Sequence, residues 1–206
     1  NTNLIKSLDL KIGSHVVVVK RGEIIPKIER VVIEETPVEL KEILFPKKCN
    51  SCGTELEDSG SRLFCPNKNC KKRILHRIFK WIECIDIRDF GETLVNSLFN
   101  DGIISSVTDI YRLTEEKLVP YFVGEESLQK VSSGEKISLG AKKVFNSIQS
   151  HRKVRLSSFI AGFDIEGIGE TMIEKIIDAG FNTLEKILSA TQDDFANVYM
   201  FADITA

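Results

Sequence analysis

Four of the five cysteines occur as two closely spaced pairs. Two residues separate Cys49 from Cys52, four separate Cys65 from Cys70, and twelve lie between the pairs. Thiolate pairs at these spacings can converge on the four corners of a tetrahedral zinc ion, and four sulfur ligands leave no position for a catalytic water. Gly53 suits the tight turn that directs backbone amides towards the sulfurs. The spacing therefore predicts a structural zinc site.

Two disulfides or buried free thiols are the alternatives for these cysteines. The sequence does not open with a basic segment followed by an apolar core, so we expect a reducing, cytoplasmic location, where paired thiols bind metal more often than they oxidise. The fifth cysteine, Cys84, lies among isoleucines on a predicted helix and is expected to be a small buried hydrophobe. His76 could replace a thiol in principle, but with four sulfurs available we expect it to have a surface or DNA-facing role.

A second pattern is an apolar residue and a glycine at the start of a helical stretch, which recurs at Phe90-Gly91, Leu139-Gly140 and Ile168-Gly169. Gly167 adds a further glycine to the last of these. Backbone N–H groups at such a helix start, together with the positive end of the helix dipole, can accept a phosphate oxygen without reading a base. One such glycine is usually only a turn device. Its recurrence predicts tandem helical hairpins that hold a nucleic-acid backbone.

The composition is that of a soluble protein, with 42% hydrophobic and 28% charged residues among 206. No apolar run is long enough to cross a bilayer, so no membrane role is expected. The formal net charge of −2 is unusual for a nucleic-acid-binding protein, because counterion release favours basic surfaces. Any such surface must be local, and one basic stretch lies between Pro46 and Lys80.

The chain reads as a β-rich segment followed by a helical one. Residues 12–33 predict a β-hairpin, in which Pro26 belongs on an edge strand or bulge. A connector at 36–46 indicates a domain boundary near residue 45. Apolar residues at helical spacing then predict helices at 73–85, 92–100, 139–151, 171–179 and 184–190. One hairpin is too little sheet to be stable alone, so the β segment is interpreted as part of a barrel.

The sequence resembles the NAD-dependent DNA ligases of bacteria along essentially the whole chain. The resemblance is carried by residues 9–13 and 19–26 in the β segment, by the second cysteine knuckle at 65–70, and by residues 109–114. It implies a multidomain protein with the C-terminal part of an OB fold at 1–45, a four-cysteine zinc finger at 46–72 and an all-α helix-hairpin-helix domain at 73–206.

For function, the resemblance implies a portion that clasps nicked double-stranded DNA during nick sealing in replication and repair. The implied zinc ligands are the four paired cysteines. The implied nucleic-acid contacts are Arg21, Gly22, Gly91, Gly140, Gly167 and Gly169. Zinc is then a structural cofactor, whereas NAD serves only the adenylation domain of the parent enzyme. That adenylation domain is the expected partner of this portion, and the enzyme is expected to be a monomer.

The sequence also departs from the family pattern. No Lys-x-Asp-Gly occurs, since Phe99 stands where the lysine would precede Asp101-Gly102, so the chain alone is expected not to ligate. Other residues replace hairpin glycines that the family has, and those hairpins are expected to be packing elements. The replacements are Asp89, Ser138, Met200 and Ala202. The chain is further expected to be a fragment that ends inside a fourth hairpin.

Two functions from different classes therefore compete. The first is the DNA-binding portion of a ligase. The second is a zinc-stabilised structural or protein-interaction module that has lost DNA binding, which the acidic balance and the replaced glycines allow. A third hypothesis, an enzyme with its own active site, is remote because the sequence contains no P-loop and no evident pair of nucleophile and base.

Overall fold

The computed structural model describes residues 1–22, 24–33, 39–124, 127, 130–131, 138–199 and 201. Contacts between Cα atoms divide the chain into two compact units, Asn1–Lys71 and Lys72–Ala206. The predicted division of the first unit near residue 45 stays a prediction.

The first unit begins with a short helix and a β-hairpin. Helix α1 (Thr2–Ser7) starts at Asn1, whose side chain accepts a hydrogen bond from the backbone N–H of Leu4. Strands β1 (Val16–Arg21) and β2 (Ile25–Val31) pair antiparallel. The register shifts between Val17 and Val18, so β2 carries the extra residue of a bulge. The predicted hairpin is therefore present.

The cysteine region carries a second, smaller hairpin. Its strands β3 (Glu57–Asp58) and β4 (Leu63–Phe64) pair antiparallel. Helix α1 is bonded to this hairpin, because the hydroxyl of the buried Thr2 donates to a carboxylate oxygen of Asp58 at 2.6 Å. Lys6 forms an ion pair with the same carboxylate at 2.7 Å. These bonds join the start of the chain to the segment that leads into Cys65.

The described part of the second unit is helical. Its longer helices are α2 (Lys71–Ile85), α3 (Glu92–Asn100), α6 (Leu139–Ser150) and α8 (Glu170–Asp178). Its shorter helices are α4 (Val107–Ile110), α5 (Glu115–Leu118), a 3-10 turn at Val119–Tyr121, α7 (Leu156–Ala161), α9 (Leu184–Ser189) and α10 (Gln192–Ala196). The predicted helices are confirmed to within two residues at each end.

The core of the second unit is built from apolar stripes on these helices. On α2 the buried residues are Ile78, Trp81, Ile82 and Ile85, which is the spacing of one helix face. Trp81 donates a hydrogen bond from its indole N–H to the hydroxyl of Tyr111 at 3.0 Å. A separate small cluster joins Ile176 on α8 to residues of the C-terminal part. The fold class is confirmed as helical, with a small antiparallel sheet segment and a cysteine cluster.

Among the described residues, no helix has both the length and the apolar character needed to span a membrane.

Candidate metal centre and nucleic-acid interface

The four paired cysteines converge in the first unit. Their sulfur atoms all lie within 4.8 Å of one another. The Sγ atoms of Cys49 and Cys70 are 3.8 Å apart, and those of Cys52 and Cys65 are 3.5 Å apart. Sulfurs about 2.3 Å from a tetrahedral zinc ion lie about 3.8 Å from each other, so the spacing fits zinc. A disulfide needs sulfurs at about 2.0 Å, which these distances exclude.

Local backbone turns orient the sulfurs. The N–H of Gly53 donates to the carbonyl of Cys49 at 2.9 Å, and the positive φ of 73° at Gly53 makes this turn possible. In the second knuckle the N–H of Cys70 donates to the carbonyl of Asn67 at 3.1 Å. Each pair of ligands is therefore fixed by its own turn, as the glycine after the first pair predicted.

The thiols of Cys52 and Cys65 have different electrostatic surroundings. The hydroxyl and backbone amide of Thr54 lower the pKa of the Cys52 thiol to about 6. Burial raises the pKa of the Cys65 thiol to about 12. Because a metal ligand must be a thiolate, a cation held by the cluster would favour the ionised form of Cys65.

In the second unit, the hairpin between α7 and α8 presents an open glycine loop. Gly167 has a φ of 78°, and Gly169 is the N-cap of α8 with extended backbone. A Cβ atom placed on either glycine meets no heavy atom within 4 Å. Packing against the described residues therefore requires neither glycine, and the loop backbone is accessible from solvent.

The hairpin between α2 and α3 has the same backbone signature. Asp86 and Asp89 have φ values of 58° and 60°, and Asp164 and Gly167 have 55° and 78° at the corresponding places of the other hairpin. Gly91 is the N-cap of α3 with extended backbone, as Gly169 is of α8. The loop geometry is therefore kept with Asp89 in place of a glycine, because aspartate tolerates the left-handed region better than most residues. That this hairpin is only a packing element stays a prediction.

Comparison with known proteins identifies relatives of this chain. Residues 163–200 match the family described as SAM-like Helix-hairpin-helix tandem. A protein named DNA ligase from Treponema denticola is 50% identical over 204 residues, which are 99% of this chain and 30% of that protein. The chain corresponds to one segment of the bacterial DNA ligases.

Other DNA ligases show the same partial coverage. The Treponema pallidum protein is 49% identical over 93% of this chain and 22% of its own length. The Methylacidiphilum infernorum protein is 36% identical over the whole chain and 28% of its own length. The chain thus spans less than a third of each of these ligases.

Gly140, another of the predicted hairpin glycines, has a packing role. Gly140 lies inside α6, which begins one residue earlier and is capped by the side chain of Ser138. A Cβ atom on Gly140 would lie 2.3 Å from the ring of Phe122. The aromatic ring therefore explains the glycine, and a phosphate contact at this position stays a prediction.

The remaining predicted contacts, Arg21 and Gly22, lie in the first unit. Arg21 ends β1 and Gly22 occupies the turn with a φ of 57°, so both lie at the tip of the first-unit hairpin. Their contact with DNA stays a prediction. Met200 and Ala202 lie outside the described residues.

The structure adds residues that the sequence analysis missed. One carboxylate oxygen of Glu170 accepts hydrogen bonds from Ser158 at 2.6 Å and Ser157 at 3.2 Å, and it pairs with Arg155 at 3.0 Å. This network fastens the start of α8 to the start of α7 and fixes the Gly169 loop between them. His76, expected at the surface, is exposed and bonds to Asp164 at 3.1 Å. Neither contact has a local sequence signal.

Proposed function

We propose that this chain is the part of a DNA ligase that holds duplex DNA by its backbone phosphates while a nick is sealed. The loops at Gly91 and Gly169 hold phosphate, and a zinc ion on the four cysteines stabilises the first unit. The adenylation chemistry with NAD belongs to an adenylation domain of the whole protein, which is the partner of this portion in a monomeric cytoplasmic enzyme. Arg21 and Gly22 add contacts from the β-hairpin.

The observation that carries this proposal is the repeated loop geometry. Two hairpins separated by about 80 residues share two left-handed positions and a glycine N-cap. Glycine at both N-caps leaves space for a phosphate to approach the backbone N–H groups. Two equivalent loops can contact two phosphates of one duplex, which suits a protein that must bind any sequence.

Local charge supports the same proposal despite the net charge of the chain. Helix α2, which leads into the first hairpin, carries Arg73, Arg77 and Lys80. The loop itself carries Arg88, which pairs with Asp86 at 3.0 Å and is largely exposed. An arginine beside a helix start favours an anion there, because the guanidinium and the helix dipole act together.

The zinc ion is structural in this proposal. Four thiolates complete a tetrahedral shell, and the small hairpin of β3 and β4 has two residues in each strand. Such a hairpin cannot be stable through its own pairing. Metal binding therefore supplies the free energy that keeps this part of the first unit folded.

The test is the affinity of the chain for a nicked duplex, measured by fluorescence anisotropy over a range of salt concentrations. Gly91→Ala and Gly169→Ala each place a methyl group where phosphate would approach, without a clash inside the protein. We expect each to lower affinity by roughly tenfold, the equivalent of one charge-assisted hydrogen bond, and to reduce the salt dependence.

Gly124→Ala is the matched control, because a Cβ atom there also meets nothing within 4 Å. It is expected to bind DNA as the unaltered chain does. A chain that binds no duplex even at low salt would refute the proposal and favour the structural or protein-interaction module.

A further inference from the structure

The hairpins α2–α3 and α7–α8, which are proposed to hold phosphate, differ in the apolar residues that flank their first aspartate with positive φ. In the first hairpin, Ile85 and Ile87 flank Asp86, and both are 4% exposed. In the second hairpin, Phe163 and Ile165 flank the corresponding aspartate and are 57% and 50% exposed. Equivalent backbone positions thus bury their side chains in one loop and present them to solvent in the other.

Of the exposed pair, Phe163 is held in place by aromatic neighbours. Phe163 packs edge-on against Trp81 and Phe159, with ring centroids 5.9 Å and 5.1 Å apart. Gly162 lies so close to Trp81 that a Cβ atom would be 2.6 Å from the indole ring. A rigid side chain loses little conformational entropy when it enters an interface, so Phe163 is suited to binding.

One cation of α2 shares a groove with the exposed ring. Arg77 lines a groove of about 360 Å³ together with Phe163 and Trp81. Lys80 lines another pocket with Gly169, where Glu83, Asp164 and Glu170 also lie. A phosphate near Arg77 would bring the sugar carbons beside it towards the ring of Phe163.

The charge of the second loop indicates why apolar contact is needed there. Glu166 occupies the place that Arg88 holds in the first loop, so the second loop has lost a cation and gained an anion. Its affinity for DNA must then depend less on charge. Proteins that bind along the minor groove supply such affinity with apolar side chains placed against sugars and base steps.

We propose that Phe163 and Ile165 form an apolar contact with the minor-groove edge of duplex DNA, next to the phosphate held at Gly169. The inference rests on the proposed function and assigns to these two side chains the part of the affinity that salt does not screen. The first hairpin binds phosphate by charge, whereas the second adds burial of apolar surface.

The test uses the full chain and a nicked duplex, with anisotropy measured from low to moderate salt. The double variant Phe163→Ser, Ile165→Ser is expected to bind roughly tenfold more weakly, with the slope of affinity against salt unchanged, because apolar contacts release no counterions. Gly169→Ala is expected to reduce that slope. Leu188→Ser is the matched control, since Leu188 is 77% exposed in the same unit.

Two further variants separate binding from folding. Ile165→Ser alone leaves the aromatic cluster intact and is expected to bind DNA more weakly than the unaltered chain. Phe163→Leu retains an apolar side chain and is expected to keep most of the affinity of the unaltered chain. Two results would overturn this inference alone. The first is an unchanged affinity of the double variant, and the second is a slope of affinity against salt that falls as much as in Gly169→Ala. Absence of duplex binding by the unaltered chain would overturn the proposed function and this inference with it.

Discussion

Asp89 in the first helical hairpin shares a left-handed φ with Gly167 in the second, at 60° and 78°. Both loops therefore turn through this region, one with a carboxylate side chain and one with none. A glycine that is missing from a motif therefore does not mean that the loop is lost. The consequence for binding is electrostatic, because a negative side chain now lies beside a helix start that suits an anion.

Removing that carboxylate should strengthen DNA binding. Asp89→Asn keeps a residue that tolerates the left-handed region and deletes one negative charge. We expect affinity for a nicked duplex to rise roughly threefold at low salt, with the gain fading as salt screens it. Asp101→Asn provides a control away from the loop, and equal gains from both variants would show that only net charge matters.

Zinc content should depend on the paired cysteines and not on the fifth. Cys70→Ser removes a buried ligand from the cluster, so we expect the purified variant to lose its metal and the first unit to unfold. Cys84→Ser is the matched control, because Cys84 lies on α2 outside the cluster. Elemental analysis should find one zinc ion per chain in the unaltered protein and in the control. A metal-free but folded unaltered chain would contradict the zinc site.

Gly140 should prove to be a packing residue. Gly140→Ala places a methyl group against the ring of Phe122 and should lower the free energy of unfolding by about 1–3 kcal/mol, the usual cost of overpacking. Urea unfolding, followed by the fluorescence of the single tryptophan, would measure this. Phe122→Leu in the same chain should recover part of the loss. A fully stable Gly140→Ala with weakened DNA binding would instead assign phosphate to this glycine.

Acid should weaken the second unit through Asp109. Hydrogen bonds from the backbone N–H of Ser105 and the hydroxyl of Ser106 lower the pKa of Asp109 from 3.8 to about 2. A carboxyl whose pKa is lowered by folding stabilises the protein above its unfolded pKa and loses that effect as pH falls. The difference in unfolding free energy between the unaltered chain and Asp109→Asn should therefore shrink as pH falls from about 4 to about 2. A difference that is constant with pH would contradict this assignment.

Much of the fold could be predicted because its signals are local. Helix α3 was predicted at its observed bounds, since its apolar spacing and the glycine before it lie within ten residues. The cysteine cluster was also predicted, because short spacings within each pair limit where the sulfurs can lie. Both predictions needed only neighbouring residues.

The rest depended on contacts between residues far apart in sequence. The ring that excludes a side chain at Gly140 belongs to Phe122, and the serines that hold Glu170 lie on another helix. The exposure of Phe163 against the burial of Ile85 could not be predicted either, since both residues are apolar and precede an aspartate. Tertiary packing, and not residue type, decides such positions.

The hydrogen bond from Thr2 to Asp58 joins residues 56 positions apart and ends a few residues before a predicted metal ligand. In the proposed zinc-bound chain, we therefore expect metal affinity and the docking of the first helix to be thermodynamically linked. Because linkage is reciprocal, a change that displaces the helix should weaken zinc binding, and loss of zinc should weaken the docking of the helix by the same factor.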